Sequence, residues 1–268
     1  MSQLLYEKRD GIAYVTLNRP EKMNALTPEM IIRLTEVWED AASDDTLRVV
    51  VVTGAGTRAF SSGGDLDSLI PIMMRTRAPR DEWEDRLAGD RAALYRALLR
   101  NSDFFKPVIA AVNGPAWAGG MELLLATDIR IAAPHTTLSL TEVRRGLIAG
   151  GGSLARIARQ IPWAHAMEIA LVGDSIDAER ALQFGMINQI VASEDLASAT
   201  EELARRISLG APIALAKTKE AILRSSGRPF EEAFAIETEC TKANARTEDA
   251  KEGPRAFMEK REPNFQGR

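Results

Sequence analysis

The 268-residue sequence has one cysteine, Cys240, and two histidines, His135 and His165. A lone cysteine excludes an internal disulfide and supplies no metal framework. Its helical surroundings make it a small buried apolar residue. Neither histidine lies in an H-E-x-x-H pattern or near a cysteine cluster, which speaks against zinc and leaves no metal site to expect. His135 follows Pro134 and reads as a loop residue; His165 lies in a helical stretch and reads as structural. No G-x-S-x-G occurs, so the nucleophile turn of an α/β-hydrolase is missing. No apolar run approaches the roughly 20 residues of a membrane span. The start of the chain carries an acid early, at Glu7, and has no signal-peptide pattern. With no disulfide, signal or span, the expected place is the cytoplasm, without membrane association. The net charge is −4, so no broad positive field draws nucleic acid. A polyanionic ligand would have to meet a local cluster of cations.

What is present is an ordinary globular mixture, long enough for one large domain or a domain with an appendage. Leu4–Lys8 and Ile12–Leu17 are β-patterned runs joined through Asp10-Gly11, a hairpin signal. Thr27-Pro28-Glu29 opens a helix with a threonine cap and proline at its first position. Leu47–Thr53 reads as a fully buried strand. The following Gly54-Ala55-Gly56 is a plain turn, since the dinucleotide fingerprint needs a third glycine and a helix directly after it. Leu66 to Asp103 reads as helix, loop and helix over the surface, with Ala92–Leu99 helical. Met186–Val191 is expected as a last strand. From residue 192 onward the pattern is helical, in four segments. The expected division is 1–192 as a core carrying the site and 193–268 as a helical region.

Two stretches share one shape. Val108–Asn113 is a buried strand that runs into Gly114-Pro115-Ala116-Trp117-Ala118-Gly119-Gly120 and then the apolar helix beginning Met121-Glu122. Ala59-Phe60-Ser61-Ser62-Gly63-Gly64-Asp65-Leu66 is also a short strand, paired glycines and a helix start. Each turn can offer a backbone N–H to one developing oxyanion. Paired glycines also serve plain tight turns, and spacing alone does not separate the two. Glu122 lies inside an apolar helix, where a charge needs partners or a raised pKa. A second carboxyl, Glu142, follows twenty residues later. Farther on, Gly150-Gly151-Gly152-Ser153 precedes a helix. It lacks the lysine of a phosphate loop and reads as a turn or a substrate wall.

At these residues the chain resembles the crotonase superfamily, the enoyl-CoA hydratase/isomerase family. The likeness runs through Asn18–Leu26, Ala59–Leu66, Asn113–Ala116 with Ala118–Glu122, Thr127–Ala132, and Thr247–Gly253 with Ala256–Arg261 in the tail. The resemblance implies an α/β fold, a spiral of ββα units whose C-terminal helices build a homotrimer or a dimer of trimers. It implies an acyl-coenzyme A thioester as substrate and no metal or bound organic cofactor. It places the two oxyanion donors at the backbone N–H groups of Gly64 and Gly119. Hydratases of the family carry two glutamates, at the places of Glu122 and Glu142. The implied reaction is reversible hydration of a trans-2-enoyl-CoA to a 3-hydroxyacyl-CoA. An isomerase, or a carnitinyl-CoA dehydratase-like enzyme acting on a modified acyl chain, is the alternative. Coenzyme A would run along Lys22, Asn24 and Ala25 and along Ser62, Asp65 and Leu66. Trp117 would shape the acyl pocket, and Phe257 and Lys260 would bind the nucleotide, often from a neighbouring subunit.

The sequence departs from the family pattern at Thr141, where proline is common, at Gly64, where alanine is common, and at Asp67, where some members have a coenzyme-binding lysine. Leu66–Asp103 matches least.

Overall fold

The computed structural model describes residues 2–100 and 103–268. A six-stranded sheet runs in the order β1 (Leu4–Arg9), β2 (Ile12–Leu17), β3 (Val49–Gly54), β4 (Val108–Val112), β6 (Ile129–Ala132), β9 (Gln189–Ile190). Only β1 and β2 are antiparallel; they form the hairpin, with Leu4 opposite Leu17 and both Asp10 and Gly11 at positive φ. The remaining pairs are parallel. Their sequences explain this, because β3 (VVVVTG) and β4 (VIAAV) are apolar on both faces and must be covered on both.

The two-residue period sorts the covering. Ala13, Val15, Leu17, Val50, Val52, Val108 and Ala110 belong to the main core with α1 (Pro28–Ser43). Ile12, Val49, Val51 and Ile109 face the other way, onto Leu203, Ala204 and Ile207 of α9 (Leu196–Ser208). The first helix after residue 192 is therefore a layer of the sheet. Helix α1 starts as its sequence demands, with the Met30 N–H donating to Thr27 Oγ1 at 3.3 Å. Its buried face carries Trp38, whose Nε1–H reaches the carbonyl of Ala97 at 2.9 Å.

A second layer makes the spiral. After each parallel strand the chain takes one short extended step, and each step pairs with the next: Leu26 with Gly64, Ser61 with Ala116, and β5 (Ala116–Trp117) with β7 (Thr137–Ser139), all parallel. Strand β8 (Ile176–Asp177) closes this layer antiparallel to β7. The glycine turns lie on these steps, so the topology stacks them side by side.

The chain also forms α2 (Leu69–Met74), α3 (Glu82–Gly89), α4 (Ala93–Ala97) and α5 (Gly119–Leu124), with α3 and α4 packed on α1. After β7 come α6 (Ser153–Gln160), α7 (Trp163–Val172) and α8 (Ala178–Gln183), and the chain ends in α10 (Pro212–Ser225), α11 (Phe230–Ala245) and α12 (Asp249–Glu259). No described helix is long and apolar enough to cross a membrane. Several elements differ from the sequence reading. Helix α4 stops two residues short of Leu99, which takes a left-handed φ of 50°, and the guanidinium of Arg156 collects the carbonyls of Leu98 and Leu99. Strand β9 is only two residues, because Met186 and Ile187 turn into the core instead. Strands β5, β7 and β8 were not expected.

Helix α5 is held from its C-terminal end by one buried cation. Arg130 donates to the carbonyls of Leu124, Leu125, Thr127 and Met186 and to the side chains of Thr127 and Gln160. These include carbonyls that a terminating helix leaves without partners. Arg130→Met is expected to lower the free energy of unfolding by about 3–5 kcal/mol, because it takes the donor from the carbonyls of Thr127 and Met186 and breaks a buried network at once. A urea titration with an unchanged midpoint would contradict this.

Candidate active site

The two glycine turns meet backbone to backbone. Gly63 has φ +95°, and a Cβ there would lie 2.8 Å from the Trp117 carbonyl oxygen and 3.0 Å from Gly119 N. On Gly120 a Cβ would stand 2.3 Å from the Ser61 carbonyl oxygen. Only glycine allows that approach. Leu26 takes up the pairing groups around Gly64: its N–H donates to Gly63 O at 2.8 Å, and the Asp65 N–H donates to Leu26 O at 2.8 Å. Gly64 lies between these bonds, so its own N–H faces the opposite side. On the second turn the Ala118 N–H donates to Ser139 O, and the Glu122 N–H donates back to Ala118 O. Gly119 is the first residue of α5, and its N–H has no acceptor within the helix. A Cβ on Gly119 would lie 3.4 Å from Gly64 N, so the two turns present their N–H groups to one small space. Among the described residues neither N–H has an acceptor. Ala118 holds this geometry at φ 48°, ψ −123°, a conformation costly for a residue with a side chain.

The two carboxyls come to the same place from different elements. Glu122 stands in the first turn of α5 and is 6% exposed. Its Oε1 accepts from the Gly151 N–H at 2.6 Å and from Ser153 Oγ–H at 2.8 Å. Burial pushes its pKa up, and the bonds from Ser153 and Gly151, together with the Arg156 cation, oppose that rise. Glu142 opens a short 3-10 turn, Glu142–Arg145, after β7. Its pKa is pushed up to about 7, first by burial and then by the charge of Glu122, against lowering pulls from its own backbone N–H and from Arg145. Its Oε2 is buried and has no hydrogen-bond partner among the described residues. A buried orphan oxygen of this kind costs stability unless a small polar molecule fills it.

That cost has a pH signature. The folded pKa of Glu142 lies above its ordinary 4.5. The folded chain therefore binds the proton more tightly than the unfolded one, and stability falls as pH rises from about 4.5 to about 7. The unscreened shift corresponds to about 3 kcal/mol. The carboxyl is only partly buried, and solvent screening reduces this to about 1 kcal/mol. Glu142→Gln is accordingly expected to melt about 2–4 °C above the parent at pH 8. The gap should close near pH 4.5, as differential scanning calorimetry at the two pH values would show.

The other expected contacts divide into two groups. Lys22 and Leu66 are exposed, and Ser62 and Trp117 are half-buried, on the two steps that flank the turns. Trp117 is oriented by its Nε1–H bond to Thr137 Oγ1 at 3.0 Å. Asn24 and Asp65, by contrast, are spent inside the protein. Asn24 is fully buried; its amide donates to the carbonyls of Ala55 and Ala59, its Oδ1 accepts from the Arg19 N–H, and its own carbonyl accepts from Ser61 Oγ. It shapes the loop that holds the buried Ala25. The Asp65 carboxylate binds Arg19 at 2.5 Å and caps Ser68 through N and Oγ. Phe257, 85% exposed, and Lys260 stand on the outside of α12 and its C-terminal cap. A cavity of about 560 Å³ lined by Asp128, Arg130, Gln160 and Lys219 lies where β4 and β6 begin, away from the ends of β3 and β4 that carry the turns.

The sequence reading took Gly151 and Ser153 for a turn or a substrate wall and passed over Arg156. The run Gly150–Ser153 does serve an anion at a helix start, and that anion is Glu122. The glycines before α6 were the available signal. Nothing in the sequence said that a carboxylate 29 residues upstream in the chain would be the acceptor. His135 is a loop residue in contact with the Thr57 carbonyl, and His165 stacks on Phe184 with ring centres 3.7 Å apart.

Residues 7–268 match the family model described as enoyl-CoA hydratase/isomerase. The chain is 37% identical to the (E)-benzylidenesuccinyl-CoA hydratase of Thauera aromatica, over 97% of this chain and 98% of that one. It is 36% identical to a carnitinyl-CoA dehydratase of Citrobacter koseri over the whole of both chains. The crystal structure of an enoyl-CoA hydratase from Mycobacterium tuberculosis H37Rv superposes with a TM-score of 0.86 at 34% identity, covering 100% of each chain. The chain belongs to the enoyl-CoA hydratase/isomerase family, within the crotonase superfamily, and has its fold.

Proposed function

We propose that the chain catalyses the reversible addition of water to a trans-2-enoyl-CoA, giving a 3-hydroxyacyl-CoA. The observation that carries this reading is the pair of carboxyls, Glu142 with an unpartnered buried oxygen and Glu122 close enough to raise its pKa. The pair stands beside two turns with unused N–H groups. The thioester oxygen sits between the N–H groups of Gly64 and Gly119, which stabilise it as it becomes an enolate oxygen. One water lies between the carboxyls. Glu122 takes a proton from it as its oxygen bonds to C3, and Glu142 gives its own proton to C2. The pair then exchanges one proton to reset, so the scheme uses no metal or organic cofactor.

Coenzyme A lies along Lys22–Ala25 and Ser62–Leu66, with Lys22 supplying local positive charge. Phe257 and Lys260 complete the nucleotide site from a neighbouring copy, which accounts for an aromatic ring displayed to solvent on α12. The chain then works as a trimer or pair of trimers, a mass that light scattering reads directly.

The decisive assay is loss of the enoyl-thioester absorbance of crotonyl-CoA on adding the protein. Absence of turnover with every short- to long-chain 2-enoyl-CoA would sink the proposal. A second reading is supported by the full-length similarity to the benzylidenesuccinyl-CoA and carnitinyl-CoA enzymes, whose names specify substituted acyl groups. On it, the same machinery hydrates or dehydrates a modified acyl chain. Isomerisation of a 3-enoyl-CoA that survives Glu142→Gln would instead make the chain an isomerase.

A further inference from the structure

Two neighbouring carboxyls in a water-poor site keep one proton between them. Which of the two keeps it decides which is base and which is acid. Their surroundings differ sharply. Glu122 Oε1 accepts from the Gly151 N–H and the Ser153 hydroxyl, both at the start of the eight-residue helix α6, and the Ser153 backbone N–H also favours its charged form. Ser153 is fully buried, so solvent does not compete for that hydroxyl. The charged groups that face Glu122 are Arg156, one helical turn beyond Ser153, and Glu142; Arg100 acts on Arg156 from behind. Arg156 is anchored to the carbonyls of Leu98 and Leu99 at 3.1 and 2.7 Å, so its charge is fixed near Glu122 without swinging onto it. Glu142 is held more weakly: its one donor among the described residues is its own backbone N–H, its Oε2 is orphaned, and the cation that acts on it, Arg145, is exposed and donates to the Thr141 carbonyl.

We propose that Ser153 is a positioning residue: with the Gly151 N–H it clamps Glu122 Oε1, keeps Glu122 ionised, and thereby leaves the shared proton on Glu142. The clamp presents Oε2 of Glu122 as the basic atom. It also explains Gly151, where a Cβ would stand 2.7 Å from Glu122 Oε2 and 2.3 Å from Leu98 Cδ1. The hydrogen bond from Ser153 is the part of the clamp that a substitution can remove without touching the backbone. The inference rests on the hydration reading only for the use made of the proton.

The test follows the protonation of Glu122 itself. On a Glu142→Gln background it is the remaining carboxyl of the pair, and its protonated C=O band is titrated by infrared difference spectroscopy, with Glu122→Gln/Glu142→Gln as the blank. Adding Ser153→Ala is expected to raise the midpoint by about one pH unit, since a donor to the charged form is lost. Ser153→Thr, which keeps the hydroxyl, should leave it near the parent value. A midpoint that stays or falls in a folded Ser153→Ala protein overturns the proposal. In the otherwise unaltered chain the same substitution should move the acidic limb of kcat/KM for crotonyl-CoA hydration upward by about one unit, a tenfold loss on that limb. If the infrared midpoint moves but no enoyl-CoA is turned over by the parent, the clamp stands and the hydration reading falls.

Discussion

Glutamine at position 122 or 142 is expected to lower kcat for enoyl-CoA hydration by roughly 10³-fold or more, with little change in KM. Each substitution keeps the shape of the side chain and removes one half of a proton transfer, a contribution on the order of 10²–10⁴. The two losses should not multiply. Water attack at C3 and protonation at C2 belong to one addition, so the double variant should be about as slow as the worse single one. Steady-state kinetics on the four proteins checks this. A double variant slower by the product of the single effects would mean that the carboxyls act in separate steps. The glutamine at 142 should meanwhile be the more heat-stable protein at alkaline pH, because it relieves the burial and repulsion that hold that carboxyl near pH 7. Loss of activity with gain of stability is the pattern of a group placed for chemistry against its own solvation.

A methyl group on Gly119 is the second large effect. Gly119→Ala puts a Cβ 3.4 Å from Gly64 N and 3.4 Å from Leu26 Cδ1, both ordinary contacts, so the protein should fold. The methyl nevertheless lies beside the N–H groups that a thioester oxygen must reach. The expected loss in kcat/KM is on the order of 10²–10³, the scale of losing one oxyanion donor. Gly64→Ala is the matching control. Its Cβ points at Ile70 Cδ1, 3.0 Å away, and Leu69 Cδ2, 3.3 Å away, which are the ends of flexible side chains. It should retain most of the activity. Equal losses at the two positions, measured with melting curves matched to the parent, would show that the turns serve structure and hold no oxygen.

Much of this was legible in the chain. The hairpin at Asp10-Gly11, the Thr27 cap and the all-apolar strand at Val49–Gly54 follow local rules that tertiary contacts had no reason to override. Glu122 was conspicuous because three leucines follow it, and a charge in such company needs an explanation. The misreadings have physical causes as well. Helix α4 was drawn too long because the residue that ends it, Arg156, arrives from a different helix. Asn24 and Asp65 were placed along coenzyme A by the family resemblance, which says nothing of what their side chains bind within the chain. Their hydrogen bonds to Ala55, Ala59, Arg19 and Ser68 are visible only when the loops are folded together.

By itself, the sequence determined most of the longer strands and helices, where two glycine turns interrupt them, and that Glu122 stands in an apolar stretch with a second glutamate twenty residues on. Those features depend on the periodicity and backbone freedom of neighbouring residues. Only the tertiary structure decided that the turns share one space, that Glu122 is bonded to Gly151 and Ser153, and that Glu142 is left with an empty oxygen. The spiral stacks successive steps of the chain, and hydrogen bonds and burial act through that stacking. Residues that the sequence keeps far apart thus come to set each other's charge.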